Sequence, residues 1–430
     1  LNMADPIKLG IAGLGTVGAG LIKIVQNNLS ILEARSGRTI QISAVSALSK
    51  SKDRGVDLSS YAWESDPVAL AKRDDIDVFV ELIGGDSGPA KAATEAAIAG
   101  GKHVVTANKA MLALHGQELA VLAEKKGVNL RFEAAVAGGI PVIKTLTESL
   151  AGNNITRIMG VMNGTCNYIL TRMENTGLPY QDIFEEANQL GFLEADPNLD
   201  VGGIDAAHKL VLLSSIAYGT QVDFKGAVLE GIGRITIEDI HAAADMGYRI
   251  KLLGVSIMTD IGLSQTMRPC LVPNESPLAQ LDGGTNMVII EGDSVGQIIL
   301  RGAGAGEGPT ASAVIGDIMD IARGINIPVF GQPAKNLIKV ASISTSVENP
   351  FYLRLNLRDE AGILAKVSAA LAGAGISIDR MRQEGHETDA APVIIVTHPT
   401  DRETLNKAIS AIEKTGAAVD TPIVLRIETV

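Results

Sequence analysis

The chain has 430 residues, more than one ordinary core holds and enough for two or three domains. With 46% hydrophobic residues, 46 glycines, 3% aromatics and 20% charged residues, it suits an α/β protein of aliphatic strands and tight turns rather than a disordered chain. The formal charge is 37 − 49 = −12, and no basic arm carries interleaved aromatics, so nucleic acid is a poor partner.

In chain order, Ile7 to Ala12 reads as a short apolar strand. Gly13-Leu14-Gly15-Thr16-Val17-Gly18 follows and opens a helix from Ala19. Further strands are expected at Ile40 to Leu48, Asp77 to Leu82, His103 to Thr106 and Asn129 to Glu133. Alanine-rich helices lie between them at Ala90 to Ala99 and Leu112 to Lys125. That alternation predicts a parallel, doubly covered sheet of the Rossmann type. The uncharged run Leu9 to Ile22 faintly mimics a signal peptide, but its glycines sit at strand-turn-helix spacing.

From Val142 to Gly247 helical patterns are expected to dominate. Short strands follow, such as Ile250 to Met258 and Asn286 to Glu291. The glycine-rich stretch from Gly302 to Thr310 leads into a helix ending near Arg323, which predicts a return to the first domain and makes the middle an α+β insertion. Residues 331–350, with Pro333 and Pro350, read as a linker. Beyond it, Tyr352–Leu357, Ile363–Ala372, Ile376–Gln383, Val393–Thr397, Arg402–Lys414 and Ile423–Ile427 give β-α-β-β-α-β, a ferredoxin-like order. The expected division is 1–135 plus about 304–330 for dinucleotide binding, 136–303 for substrate and dimerisation, and 351–430 for the last domain.

Two cysteines, Cys166 and Cys270, make no disulfide framework, and a reducing compartment fits. No stretch reaches the roughly 18 apolar residues of a membrane span, so no membrane is expected and cytoplasm is the default.

Gly13, Gly15 and Gly18 have the Gly-x-Gly-x-x-Gly spacing, with a strand before and a helix after. Such a loop, including Thr16 and Val17, lets a pyrophosphate approach the helix N-terminus; the plainer reading is a tight turn alone. An NAD site usually has an acid at the end of the second strand. Here stand Ser46-Ala47-Leu48-Ser49-Lys50, with Lys52 and Arg54 beyond. Ser46 and Lys50 can accept a 2′-phosphate, which tilts the choice from NAD to NADP; a solvated basic loop is the alternative.

The segment from Gly191 to Lys209 holds Glu194, Asp196, Asp200, Asp205 and Lys209. If a helix starts near Ile204, Asp205 and Lys209 share a face, either as a helix-end pair or as chemistry. This segment resembles the homoserine dehydrogenase signature G-[YF]-x-E-x-D-P-x-x-D-x-x-G-x-D-x-x-x-K over its whole length. Val105 to Lys109, Asn163 to Leu170 and Gly304 to Val314 are also similar to that family, so the resemblance covers nearly the whole chain. No kinase-sized region precedes Leu1, so an aspartokinase fusion is not expected.

The resemblance implies NAD(P)-linked interconversion of L-homoserine and L-aspartate 4-semialdehyde. Lys209 matches the catalytic lysine and Lys109 its partner near the nicotinamide, with Asp205 beside them. Glu194 and Asp200 match the acids that hold the substrate, and Gly164 and Thr165 the loop lining its pocket. Thr106, Gly306, Gly308 and Thr310 are expected at the cofactor, and carbonyls of Glu133, Val136 and Gly138 at a sodium or potassium ion. Phe192 stands where tyrosine is common, so a phenol bond to substrate is lost; Cys166, often threonine, is expected buried and without a redox role. The two lysines facing one pocket are expected to lower each other's pKa.

Leu357 to Leu364 resembles the ACT-domain motif D-x-x-G-x-L, which implies an amino-acid effector at Asp359, Gly362 and Leu364, most often L-threonine, and a homodimer or homotetramer. A small dimerisation unit without ligand is the other reading. Two rivals for the whole chain are an NAD(P) oxidoreductase for another small amino acid or 2-oxo acid, and a non-catalytic sensor.

Overall fold

The computed structural model describes residues 4–343, 347–383 and 390–429. The first sheet has six strands: β1 (Ala4–Ala12), β2 (Arg38–Ser46), β3 (Ala62–Glu64), β4 (Val78–Glu81), β5 (His103–Thr106) and β6 (Leu130–Arg131). They are all parallel, in the order β3-β2-β1-β4-β5-β6. The strand order reverses beside β1, and the crevice at that switch point is where open parallel sheets take their ligands. Every residue of β4 is buried, as expected of a central parallel strand. Sequence analysis did not foresee β3, which is only three residues long and half-buried.

The helix Glu307–Ala322 packs back onto this domain. Its Val314, Ile318 and Ile321 share one core with Leu9 and Ile11 of β1 and with Leu21 and Ile22 of the helix Thr16–Ser36.

The second sheet contains β7 (Ile155–Val161), β8 (Val228–Leu229), β9 (Tyr248–Thr259), β10 (Gly262–Pro273), β11 (Thr285–Gly292), β12 (Gly296–Ala303), β13 (Phe351–Arg358), β14 (Ile378–Gln383), β15 (Ala390–Thr397) and β16 (Ile423–Ile427). Its order is β12-β11-β7-β9-β10-β16-β13-β15-β14, with β8 beside β10. Helices dominate from Val142 to Gly247 as expected, and within that stretch β7 fills the place between β9 and β11. The last domain is not hung on a free linker. Its four antiparallel strands continue the middle sheet, with Cys270 and Leu271 of β10 paired to Arg426 and Ile427 of β16.

The segment before β13 is itself docked, through bridges from Ile338 to Thr220 and from Ser342 to Leu263. Residues 344–346 of the expected linker lie outside the described residues. Where the two domains join, Arg354 Nε lies 2.6 Å from the buried Asp239 Oδ1, and the Tyr352 hydroxyl donates to the same oxygen at 3.0 Å. Among the described residues no helix is long and apolar enough to cross a membrane.

Candidate active site

The helix Ile204–Tyr218 starts after Gly203, whose φ of 80° turns the chain sharply into it. Asp205 lies in its first turn and Lys209 one turn on, so both face the same way. Lys209 Nζ donates to Asp205 Oδ2 at 2.8 Å and to the Met162 carbonyl at 2.7 Å. Lys109 opens the helix Lys109–Lys126, fixed by Asn108, whose side chain accepts from the Met111 amide. Its Nζ lies 3.0 Å from Asp205 Oδ1. One carboxylate thus bridges two lysines from different domains.

At Lys109 that bridge overturns the expected lowering of its pKa. Burial does push Lys109 down, but the attraction of Asp205, then Glu194 and Asp200, outweighs it and raises Lys109 above its ordinary value. For Asp205 burial opposes ionisation, yet Lys209 and Lys109 hold the carboxyl well below the usual carboxylate range. An intervening opposite charge at about 3 Å decides the sign over a like charge farther away.

Asp200 is buried. Its Oδ1 accepts from Asn163 Nδ2 at 2.9 Å and its Oδ2 from the Glu194 amide at 3.0 Å. Asn163 also caps the helix Gly164–Thr176, accepting from the Cys166 amide at 2.7 Å. Glu194 is raised above its ordinary value, chiefly by burial, with Lys109 working against the rise. The Thr165 hydroxyl donates to the Phe192 carbonyl at 2.9 Å, and the Phe192 ring stacks on Tyr168 at 4.5 Å. Cys166 is fully buried, and burial pushes its thiol well up, away from thiolate chemistry.

These groups line a cavity of about 530 Å³ between the two sheets. Val17, Lys109, Gly138, Gly164, Thr165, Glu194, Asp200, Asp205, Lys209, Gly306 and Thr310 all reach it. On its dinucleotide side, a Cβ at Gly13 would stand 2.2 Å from the Leu82 carbonyl oxygen and one at Gly18 2.1 Å from that of Gly13, while a Cβ at Gly15 would meet no protein atom within 4 Å. Gly13 and Gly18 are therefore needed by the turn, and Gly15 leaves open space at the helix N-terminus. Thr16 opens that helix, and Gly308 sits in the first turn of the helix Glu307–Ala322.

Other expected residues are not among those lining the cavity. Thr106 is fully buried, its hydroxyl donated to Glu81 Oε2 at 2.6 Å. Ser46 is buried at the end of β2, its carbonyl accepting from the Gly13 amide at 2.9 Å. Lys50 is exposed. Arg54 is the cation tied to the glycine loop, through a 3.0 Å bond to the Leu14 carbonyl, and it lies over the Trp63 ring.

Glu133 is buried, its carboxylate accepting from the amides of Ile143 and Lys144 at 3.0 and 2.8 Å. Burial and then Asp317 push it up to about 8. Val136 is also buried, and Gly138 packs against the Gly304 carbonyl.

In the last domain, a second cavity of about 250 Å³ is lined by residues 357–364 with Gln383, Ala391 and Val393. Gly362, at φ 90°, precedes the helix Ile363–Gly373 and, with Asp359 and Leu364, borders this cavity.

Sequence analysis gave no role to Asn163, although an asparagine just before a helix is a capping signal. Asn286 lines the main cavity without any local signal.

Comparison with known proteins identifies the family of this chain. The family model for homoserine dehydrogenase matches residues 141–319, that for the homoserine dehydrogenase NAD-binding domain matches 13–133, and that for the ACT domain matches 351–417. A homoserine dehydrogenase of Neisseria gonorrhoeae is 43% identical over 98% of both chains, and one of Pseudomonas aeruginosa is 40% identical over 98% of this chain and 99% of that one. The crystal structure of a homoserine dehydrogenase from Thiobacillus denitrificans superposes with a TM-score of 0.94 at 39% identity, covering 99% of each chain. A hyperthermophilic archaeal homoserine dehydrogenase in complex with NADPH superposes at 0.63 with 26% identity, covering 74% of this chain and 97% of that one. The chain belongs to the homoserine dehydrogenase family of NAD(P)-dependent oxidoreductases and carries a C-terminal ACT domain.

Proposed function

We propose that the chain interconverts L-homoserine and L-aspartate 4-semialdehyde, with Lys209 moving the proton and Lys109 supplying fixed positive charge. The observation that carries this division is the Asp205 carboxylate bridging the two. When bound, the nicotinamide supplies the hydride acceptor for the alcohol and the hydride donor for the aldehyde. Two N–H bonds of Lys209 are committed to Asp205 and to Met162, and the third is left for the substrate oxygen. There it gives the proton to the carbonyl oxygen in reduction and takes it from the hydroxyl in oxidation. Lys109, kept charged by Asp205, stabilises negative charge growing on that oxygen.

At the other end of the substrate, Glu194 and Asp200 attract the α-ammonium. Gly164 and Thr165 open a 13-residue helix, and its free amides suit the α-carboxylate. Fixing both ends orients the reacting carbon, an effect worth up to roughly 7–11 kcal/mol in well-aligned systems.

A nicotinamide dinucleotide fits the loop at Gly13, Gly15, Thr16, Val17 and Gly18 and the facing loop at Gly306, Gly308 and Thr310, because Gly15 leaves its approach open. NADP is favoured over NAD. Ser46 ends β2, Lys50 and Arg54 follow it, Arg54 is bonded to the Leu14 carbonyl of the glycine loop, and the archaeal relative was solved with NADPH. A sodium or potassium ion fits carbonyls of Glu133, Val136 and Gly138. Ala137 has φ 56° in the turn between them, a conformation costly for a side-chain residue unless something holds it. The ACT cavity takes an amino-acid effector, L-threonine by pathway logic, in a cytoplasmic homodimer or homotetramer.

Initial rates with L-homoserine, comparing NAD and NADP with and without L-threonine, test the reaction, the coenzyme preference and the effector. Turnover is expected, faster with NADP and slowed by threonine. Folded, cofactor-binding protein with no turnover would favour the sensor reading.

A further inference from the structure

The middle sheet contains a lysine that the chemistry above does not use. Lys251 lies on β9 opposite Cys270 of β10, and it is only 1% exposed. Among the described residues no carboxylate comes within ion-pair distance of it. Its Nζ donates instead to two neutral oxygens, Asn167 Oδ1 at 2.9 Å and the Leu281 carbonyl at 2.5 Å. Burying an ammonium on neutral acceptors is costly, and a methionine would fill the same space without that cost.

Its partners indicate what the ammonium does. Asn167 lies one turn along the helix Gly164–Thr176 from the Asn163 cap, and its Nδ2 donates to the carbonyls of Leu281 at 3.1 Å and Gly283 at 2.7 Å. Lys251 and Asn167 therefore grip the turn before β11 at Leu281 and Gly283. The next residue, Gly284, lines the active-site cavity. It also presses on the substrate loop, since a Cβ at Gly164 would stand 2.7 Å from the Gly284 carbonyl oxygen. Asn286, two residues on, abuts the cofactor side at Gly304.

We propose that Lys251 and Asn167 are positioning residues that hold the 281–284 turn as the rear wall of the substrate pocket. Neither touches the reacting atoms, and both act through the placement of Gly284 against Gly164 and Thr165. Among the described residues no acid is left over to pair with Lys251. Arg249 on the same strand is neutralised by Glu174 at 2.8 Å and Asp282 at 3.1 Å, so the acids nearby are already engaged. Burial, then Arg249, push Lys251 down to about 8, while Asp282 and Glu174 pull the other way. The assignment rests on homoserine being the substrate only for its kinetic readout.

The test is K251M and N167A in the full-length protein, read by hydrogen exchange and by kinetics. Amide exchange in residues 279–286 is expected to speed at least ~10-fold in both variants, with the 304–310 cofactor loop unchanged. The homoserine KM should rise ~5-fold or more while the cofactor KM stays within ~2-fold, and the double variant should be no worse than the poorer single one, as for one unit. If K251M does not fold, N167A carries the same readouts. Folded variants with unaltered exchange at 279–286 and an unaltered homoserine KM would overturn the proposal. So would equal rises in both KM values. Faster exchange in a protein whose wild type fails to turn over homoserine would support the wall and remove the substrate assignment.

Discussion

Lys109 Nζ and Asp205 Oδ1 lie 3.0 Å apart, and this contact joins the dinucleotide domain to the catalytic helix while Asp205 Oδ2 holds Lys209 at 2.8 Å. Because Asp205 is the strongest attraction raising Lys109, D205N should reverse the sign. Burial would then dominate and Lys109 would lose its proton at lower pH. For aldehyde reduction, which needs charged lysines, the alkaline limb of kcat/KM should move to lower pH, with kcat down ~10²-fold. A pH–rate profile checks this, and an unmoved limb would remove Asp205 from the role.

Removing the proton carrier differs from loosening the substrate. K209A should lower kcat by at least ~10²-fold, the usual scale for acid–base groups, with the protein folded. E194Q should mainly raise the homoserine KM, because the ammonium then loses a negatively charged partner. Steady-state kinetics with circular dichroism as a folding control distinguish the two. Near-normal turnover in folded K209A would refute the assignment to Lys209.

The glycine loop makes a paired prediction. G18A forces a Cβ to 2.1 Å from the Gly13 carbonyl oxygen, whereas G15A meets no protein atom within 4 Å. G18A should therefore melt several degrees lower. G15A should melt like the wild type but raise the cofactor KM ~10-fold or more, since its methyl occupies the pyrophosphate approach. Thermal melts beside cofactor titrations test the contrast; a G15A that binds cofactor normally would shift the dinucleotide elsewhere.

Asp239 is buried and accepts from both Arg354 and Tyr352 of the ACT strand β13. D239N leaves Arg354 with a neutral partner at the domain junction and should cost roughly 3 kcal/mol, as for a broken buried ion pair. If threonine acts through this docking, D239N should still bind threonine in calorimetry yet lose most of its effect on homoserine kinetics. Undiminished inhibition would mean that the junction does not transmit it.

Much of the site can be read from local spacing. Gly13, Gly15 and Gly18 between a strand and a helix, Asp205 one turn before Lys209, and the six alternating elements after Phe351 are all short-range patterns. Neighbours within one turn or one loop have few alternative geometries, so residue type and spacing constrain them. Asn163 lay within reach too, as a helix cap, and went unused. Lys251 could not be recognised this way, because a lysine in an apolar strand becomes informative only when its burial and its partners are known.

Chain order and motif chemistry thus specified the family, the dinucleotide loop and the acid–lysine helix. Three-dimensional packing set the rest. It brought Lys109 to Asp205, inserted β7 between β9 and β11, joined β10 to β16 as one sheet, and raised rather than lowered the pKa of Lys109. The reason is physical. A strand's partner and a buried group's charge balance depend on residues distant in the chain, and electrostatic sign at a few ångströms follows from which charge stands between, a quantity that no local window contains.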